Sequence, residues 1–202
     1  NPVRKDLIDI SNKKEIAQKH FKLETDKPCI LVIGGSQGAR SINLAIAHSF
    51  SKLAASNVQL IWQTGVHFEN EAKEIAAKYP NFKSYVSAFI YEMDLAYAAA
   101  DLVCSRAGAL SVSEICLAAK PSILVPFPAA AEDHQTENAK SLVSQHAAIL
   151  IKDADANKEL VDEALQLIHQ PEELKNIGNA AKGLGKPNAA KEIAQQILQL
   201  AN

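Results

Sequence analysis

The sequence predicts an α/β fold, a Rossmann-like doubly wound parallel sheet of six strands with helices on both faces. Three observations predict it. Short β-rich apolar runs recur at 29–33, 58–62, 83–87, 102–105, 122–125 and 148–151. Stretches of helical period separate or follow them at 39–55, 68–78, 94–100, 110–119, 135–144 and 157–169. Strand and helix alternating in this way builds a parallel sheet, since each crossover returns the chain over one face. The third observation is that residues 30–33 and 123–125 are unbroken apolar runs, as strands buried on both sides should be.

Taken in order, the first run, "CILVI", passes through "GGSQG" into a helix, and the second ends "LIWQTG". The third leads into "SAFIYEM", the fourth through "SRAGAL" into a helix, and the fifth into "PFPAAAEDHQTENA". After the sixth strand and its helix, "GLGKPN" at 183–188 breaks the pattern. A final amphipathic helix follows, with Ala190, Ile193, Ala194, Ile197, Leu198 and Ala201 at i, i+3, i+4, i+7 spacing. Residues 1–185 are therefore expected to form the domain and 186–202 a helix whose apolar stripe docks either on that domain or on a neighbour.

The chain has 202 residues, 48% hydrophobic and 22% charged, with a formal net charge of -2. That is the composition of an ordinary globular domain, with no basic stripe for a nucleic acid. The longest mostly apolar stretch, 123–131, is interrupted by Pro126 and Pro128 and falls far short of the roughly 18 residues of a membrane span. "NPVRKDL" has no signal-peptide character, and the chain is expected to begin inside a longer protein. Cys29, Cys104 and Cys116 lie in apolar runs without CxxC spacing and read as buried hydrophobes in a reducing compartment.

Gly34, Gly35 and Gly38 end the first strand and open a helix, where unpaired N–H groups and the helix dipole favour an anion. A dinucleotide fingerprint needs glycines at relative positions 1, 3 and 6. Gly35 and Gly38 supply the last two, but Ile33 holds the first. The acid that holds a nicotinamide ribose at the second strand's end is also missing, since the first acid after "LIWQTG" is Glu69. A P-loop fails as well, with Ala39 and Arg40 where Lys is required.

"CSRAGALSVSE" repeats the strand, glycine turn and helix, so that N–H groups near Gly108, Ala109 and Leu110 can face the same crevice and share one diphosphate. Glu114 reads in two ways: a carboxylate in the first helical turn that accepts ribose hydroxyls, or the far member of a capping box with Ser111. Glu132, Asp133, His134, Gln135 and Asn138 crowd the loop after the fifth strand. They suit either sugar hydroxyls or a solvated N-cap at Asp133. No HExxH, other metal spacing or GxSxG elbow is present in the sequence.

"NPVR", "GGSQGARSIN", "QTG", "RAGALSVSE" and "PFPAAAEDHQTENA", in this order over essentially the whole chain, resemble the C-terminal half of the MurG family, the bacterial peptidoglycan N-acetylglucosaminyltransferases of glycosyltransferase family 28. The resemblance implies a GT-B architecture of two Rossmann-like domains, with this half holding the donor UDP-N-acetylglucosamine. By motif it places Arg4 and Ser36 on the donor, with Ser36 at the diphosphate, and pairs the backbone of Ile90 with uracil. Ala109, Leu110, Ser111, Val112, Ser113 and Glu114 would hold the nucleotide, Glu114 on the ribose, and Gln135 would read the sugar. Gly35, Gly38, Arg106, Gly108 and His134 are secondary candidates.

The resemblance further implies transfer to an undecaprenyl-diphosphate-linked muramyl-pentapeptide with inversion and with neither metal nor cofactor. The acceptor site, the general base and a peripheral contact with the cytoplasmic face of the inner membrane would belong to the family's N-terminal half. This chain alone is expected to bind donor without turnover. The alternatives are a UDP-N-acetylglucosamine epimerase of similar fold and a nicotinamide-dependent Rossmann domain.

Overall fold

The computed structural model describes residues 1–3, 5–7 and 9–200. After a short 3-10 turn at Lys5–Leu7 come α1 (Lys14–His20), β1 (Cys29–Ile33), α2 (Arg40–His48), α3 (Phe50–Ala55), β2 (Gln59–Gln63) and α4 (Glu69–Ala77). The chain continues through β3 (Ser84–Ser87), α5 (Met93–Ala99), β4 (Leu102–Ser105), α6 (Ala109–Leu117), β5 (Ser122–Leu124), a 3-10 turn at Ala131–Asp133, α7 (His134–Val143) and β6 (Ile149–Leu150). It ends with α8 (Ala156–Ile168), α9 (Pro171–Leu184) and α10 (Ala189–Leu200).

The strands form one sheet in the order β3-β2-β1-β4-β5-β6, and every pairing is parallel. This is the doubly wound sheet the alternation predicts. Successive strand residues serve opposite faces. Cys29, Leu31, Ile33, Ile61, Val103 and Leu124 pack against α1, α5, α6 and α7 on one side. Ile30, Val32, Leu60, Trp62, Cys104 and Ile123 pack against α2, α3 and α8 on the other. Where strands are buried on both faces, a polar residue needs a specific partner or stays unsatisfied. Gln59, fully buried, illustrates this: its Nε2 donates to the Glu24 and Lys27 carbonyls and its Oε1 accepts from the Glu24 N–H.

Three departures from the expected elements have physical causes. The helix predicted over 39–55 is two helices meeting at Ser49, whose carbonyl accepts from the N–H groups of Lys52 and Leu53 and restarts the turn. Helix α9 is unpredicted because Asn176, Gly178, Asn179 and Gly183 lower its intrinsic propensity. Tertiary packing decides instead. A Cβ on Gly178 would sit 2.9 Å from the Ala119 carbonyl, so the glycine lets α9 lie against the end of α6. Pro171 in the first turn, with Glu172 and Glu173 beside it, starts the helix. Helix α1 is likewise unpredicted, being only seven residues long and held through Ala17 and Gln18.

The three cysteines are free and buried, as their apolar context predicts, and burial pushes the Cys104 and Cys116 thiols up to about 12 and about 11. Among the described residues no helix is long and apolar enough to cross a membrane.

Candidate functional site

Strand order reverses between β1 and β4, and the loops leaving their carboxyl ends part there to open a crevice. A cleft of about 750 Å³ fills it, lined by Gly34 to Ser41 except Ser36, by Leu44, and by Arg106, Gly108, Ser111, Phe127, Gln135 and Asp153. The first intrahelical bonds of α2 and α6 are Asn43 N–H to Ala39 O and Val112 N–H to Gly108 O, so the first-turn N–H groups of each helix, at the edge of the cleft, have no partner within their helix. Two positive helix ends converge on one space.

Glycines make this approach sterically feasible. Gly38 has φ +79°, and a Cβ there would lie 2.2 Å from the Thr64 carbonyl. Gly65, at φ +76°, would place its Cβ 2.3 Å from the Gly38 nitrogen. The "GGSQG" and "QTG" turns are thus pressed backbone to backbone. Asn43 locks them together, since its Nδ2 donates to Thr64 O at 2.8 Å and its Oδ1 accepts from Trp62 Nε1 at 3.0 Å. "QTG" supports the first turn from behind.

The cleft's other wall is held by Arg106. Its side chain is 12% exposed, and Nη1 donates to Val125 O at 3.1 Å, to Pro126 O at 3.2 Å and to the Asp153 carboxylate. Nη2 donates to Ser41 Oγ at 3.1 Å, Ser41 Oγ donates to Asp153 at 2.5 Å, and the guanidinium lies 5.4 Å from the centre of the Phe127 ring.

Of the residues singled out from the sequence, Gly35, Gly38, Arg106, Gly108, Ser111 and Gln135 line this cleft. Ser36 is exposed in the turn between Gly35 and Gly38. Gln135 Oε1 accepts from the Phe127 N–H at 3.0 Å, and among the described residues nothing takes its Nε2 amino group. Leu110 is exposed at the start of α6, next to Ala109. Val112 and Ser113 line a separate hollow of about 210 Å³ between α6 and α7, and Ser113 Oγ donates to Ala109 O at 2.8 Å. His134 begins α7 with Nδ1 2.5 Å from Ala131 O. Arg4 lies outside the described residues.

Two local readings need correction. The sequence places Glu114 in the first turn of its helix, either as a ribose acceptor or as the far member of a capping box with Ser111. The helix instead begins at Ala109 behind a Gly108 N-cap with no side-chain cap, so Glu114 stands in the second turn. Its Oε2 accepts from the buried Tyr97 hydroxyl at 3.3 Å. The N-cap reading of Asp133 is half right: Asp133 precedes α7 but is left-handed and makes no capping bond, its carboxylate accepting from Thr136 Oγ1 at 2.6 Å.

Ile90 is buried, and its N–H donates to Gln63 Oε1 at 3.1 Å. Gln63 occupies the end of β2, where a nicotinamide-binding fold places its ribose acid. Sequence reasoning missed Arg40, Ser41, Phe127 and Asp153. The first three lie inside quoted motifs, whereas nothing near Asp153 marks it, because its approach depends on β6 lying beside β5. Among the described residues no group of three His, Cys, Asp or Glu is placed to hold a metal ion.

The model of the glycosyltransferase family 28 C-terminal domain matches residues 29–197. The UDP-N-acetylglucosamine–N-acetylmuramyl-(pentapeptide) pyrophosphoryl-undecaprenol N-acetylglucosamine transferase of Parabacteroides distasonis is 46% identical over 200 residues, 99% of this chain and 54% of that protein. The chain thus spans about half the length of the curated relatives it matches. MurG of Acinetobacter baumannii superposes with a TM-score of 0.79 at 28% identity, over 96% of this chain and 55% of that one. A UDP-N-acetylglucosamine 2-epimerase from Neisseria meningitidis, solved with UDP-N-acetylglucosamine bound, gives 0.59 at 18% identity over 92% of this chain and 48% of that one, a likeness of fold alone. With its sheet order, its crevice and a family match over most of its length, the chain belongs to the glycosyltransferase family 28 C-terminal domains.

Proposed function

We propose that the chain is the donor half of an inverting glycosyltransferase. It binds UDP-N-acetylglucosamine, and in a longer protein the N-acetylglucosamine passes to undecaprenyl-diphosphate-linked muramyl-pentapeptide, converting lipid I to lipid II in peptidoglycan synthesis. The observation that carries this is the convergence of the α2 and α6 N-termini on one cleft at the switch point, in a family 28 domain.

In this reading the amides around Gly35–Gly38, with Ser36, and around Gly108–Ser111 hold the diphosphate. They stabilise UDP as its charge grows on departure. Glu114 takes the ribose hydroxyls, and Gln135 offers its Nε2 donors to the sugar. Uracil pairs with the carbonyl of Ile90, whose N–H Gln63 already holds. Ala109 and Leu110 supply backbone at the nucleotide, while Val112 and Ser113 contribute position and core packing. Arg4 joins the donor site by motif alone.

The acceptor, the general base and the peripheral contact with the cytoplasmic face of the membrane are assigned to the part of the relatives' length that this chain does not span. Helix α10 is assigned to that interface too, because Ala189 is its one buried residue among those described while Ile197 and Leu198 are 61% and 65% exposed.

Thermal denaturation with UDP, UDP-N-acetylglucosamine and NAD tests the reading. A ligand at about 100 times its dissociation constant adds roughly 2.7 kcal/mol. The uridine ligands are expected to raise Tm and NAD to leave it unchanged. The opposite result would reject the reading.

A further inference from the structure

Arg106 invites the simplest reading of a cation in a phosphate crevice, namely that it faces the diphosphate. Its geometry says otherwise. Nη1 is shared among two carbonyls and a carboxylate, and Nη2 goes to Ser41. A guanidinium already matched by a carboxylate has little field left for a ligand. The contacts also share a destination: Val125 and Pro126 follow β5 and lead directly into Phe127, whose ring the guanidinium faces and whose N–H is held by Gln135. Asp153, from the loop after β6, and Ser41, from the first turn of α2, hold the guanidinium from behind.

We infer that Ser41, Arg106 and Asp153 form a positioning cluster that fixes the Phe127–Gln135 corner, and thereby the part of the cleft that reads the donor's sugar. The cluster is anchored on α2 through Ser41 and acts on the sugar side, where the Arg106 guanidinium holds the chain at Val125–Phe127. Planar fork geometry is essential to it. A lysine supplies the charge but cannot span two carbonyls, a carboxylate and a hydroxyl at once. This inference rests on the donor reading above, gives Arg106 a positioning role in it and adds Ser41 and Asp153, the second of which no sequence motif marks.

The experiment compares UDP with UDP-N-acetylglucosamine by titration calorimetry on the wild-type chain and on Asp153→Asn, Arg106→Lys and Ser41→Ala. Amide hydrogen exchange across residues 125–136 is measured without ligand. A positioning role predicts that Asp153→Asn and Arg106→Lys each weaken UDP-N-acetylglucosamine about tenfold while UDP changes by no more than about twofold. Exchange at the Phe127 amide should speed up at least tenfold in both. Ser41→Ala, the mildest change and the safeguard against misfolding, should show a smaller shift in the same direction.

If Arg106 is instead a diphosphate cation restrained by Asp153, Asp153→Asn will tighten UDP, and Arg106→Lys will weaken both ligands equally. Either result overturns the proposal, as does unchanged exchange at Phe127. Wild-type protein that binds neither ligand overturns the donor reading and the sugar-reading role with it. Because the exchange arm needs no ligand, it still reports whether the cluster holds the corner, so the two failures can be told apart.

Discussion

The two ends of the sheet bury cations in opposite ways. At the carboxyl ends of the strands Arg106 meets the Asp153 carboxylate directly, and every neighbouring loop contributes an acceptor. At the amino ends Lys120 donates to the Ala100 carbonyl at 2.7 Å, while both oxygens of nearby Asp101 are engaged elsewhere, one by Lys14 and one by the Cys29 N–H. Burial pushes the Lys120 ammonium down to about 8, against the upward pull of Asp101. Beside it, at the first residue of β5, the Ser122 hydroxyl is buried and has no partner among the described residues. The buried cation meets a carboxylate where the cleft is, and only a carbonyl, beside an unmatched hydroxyl, where the sheet only has to pack. Changes at the carboxyl end should therefore lose stability or ligand, and changes at the amino end should gain stability without touching ligand.

The largest loss is expected from Gly38→Ala. A Cβ 2.2 Å from the Thr64 carbonyl, on a backbone at φ +79°, forces the two turns apart. Strain of this kind costs about 3 kcal/mol. Urea unfolding should show that loss, with UDP binding falling alongside it; a variant of wild-type stability and affinity would show that the turns separate freely. Next comes Glu114→Gln, which keeps an oxygen for the Tyr97 hydroxyl but removes the charge. Hydrogen bonds to a charged group are worth about 1.5–3 kcal/mol, so UDP affinity should fall roughly 10- to 100-fold while unliganded stability changes by less than about 1 kcal/mol. Equal affinity would remove Glu114 from the ribose.

At the amino end, Lys120 makes stability depend on pH, and the sign is fixed by its lowered folded value. Below pH 8 both states carry the proton, and the folded state bears the full penalty of a buried charge. Between 8 and the ordinary 10.5 the unfolded chain holds a proton that the folded chain has released, so stability rises with pH. The full effect is about 3 kcal/mol. Lys120→Met removes the penalty and about 1 kcal/mol of hydrogen bonding to Ala100, for a net gain of about 2 kcal/mol at pH 7. Urea midpoints at pH 7 and pH 10 should converge in the variant. An unchanged rise with pH would assign it to another group.

How much of this was legible in the sequence follows the same division between local and long-range causes. Six strands, eight of the helices in outline, with α2 and α3 read as one, and the glycine turns that border the cleft rest on local patterns: an apolar run such as "CILVI", a glycine where a helix opens. Helix α9 was hidden because Gly178 is a poor helix residue chosen for its contact with Ala119, which lies 59 positions earlier. The Glu114 cap failed for a related reason: Ser111-x-x-Glu114 has the right letters, but Gly108 starts the helix one turn sooner. Asp153 was invisible because its partner Arg106 is 47 residues away, across a sheet neighbour relation that no local spacing encodes.

The smallest and cleanest test of the contrast is Ser122→Ala. A buried hydroxyl without a partner forfeits its hydration, a cost of about 1–3 kcal/mol, whereas deleting one oxygen leaves a void smaller than a methyl group. The net expectation is a gain of about 1 kcal/mol in urea unfolding. UDP affinity should not change, because Ser122 pairs with Val103 at the amino end of β4 while the cleft begins beyond Ser105 at its other end. A loss of stability would mean that the hydroxyl is satisfied after all. A change in affinity would mean that the two ends of the sheet are coupled, and the division of labour drawn between them would fail.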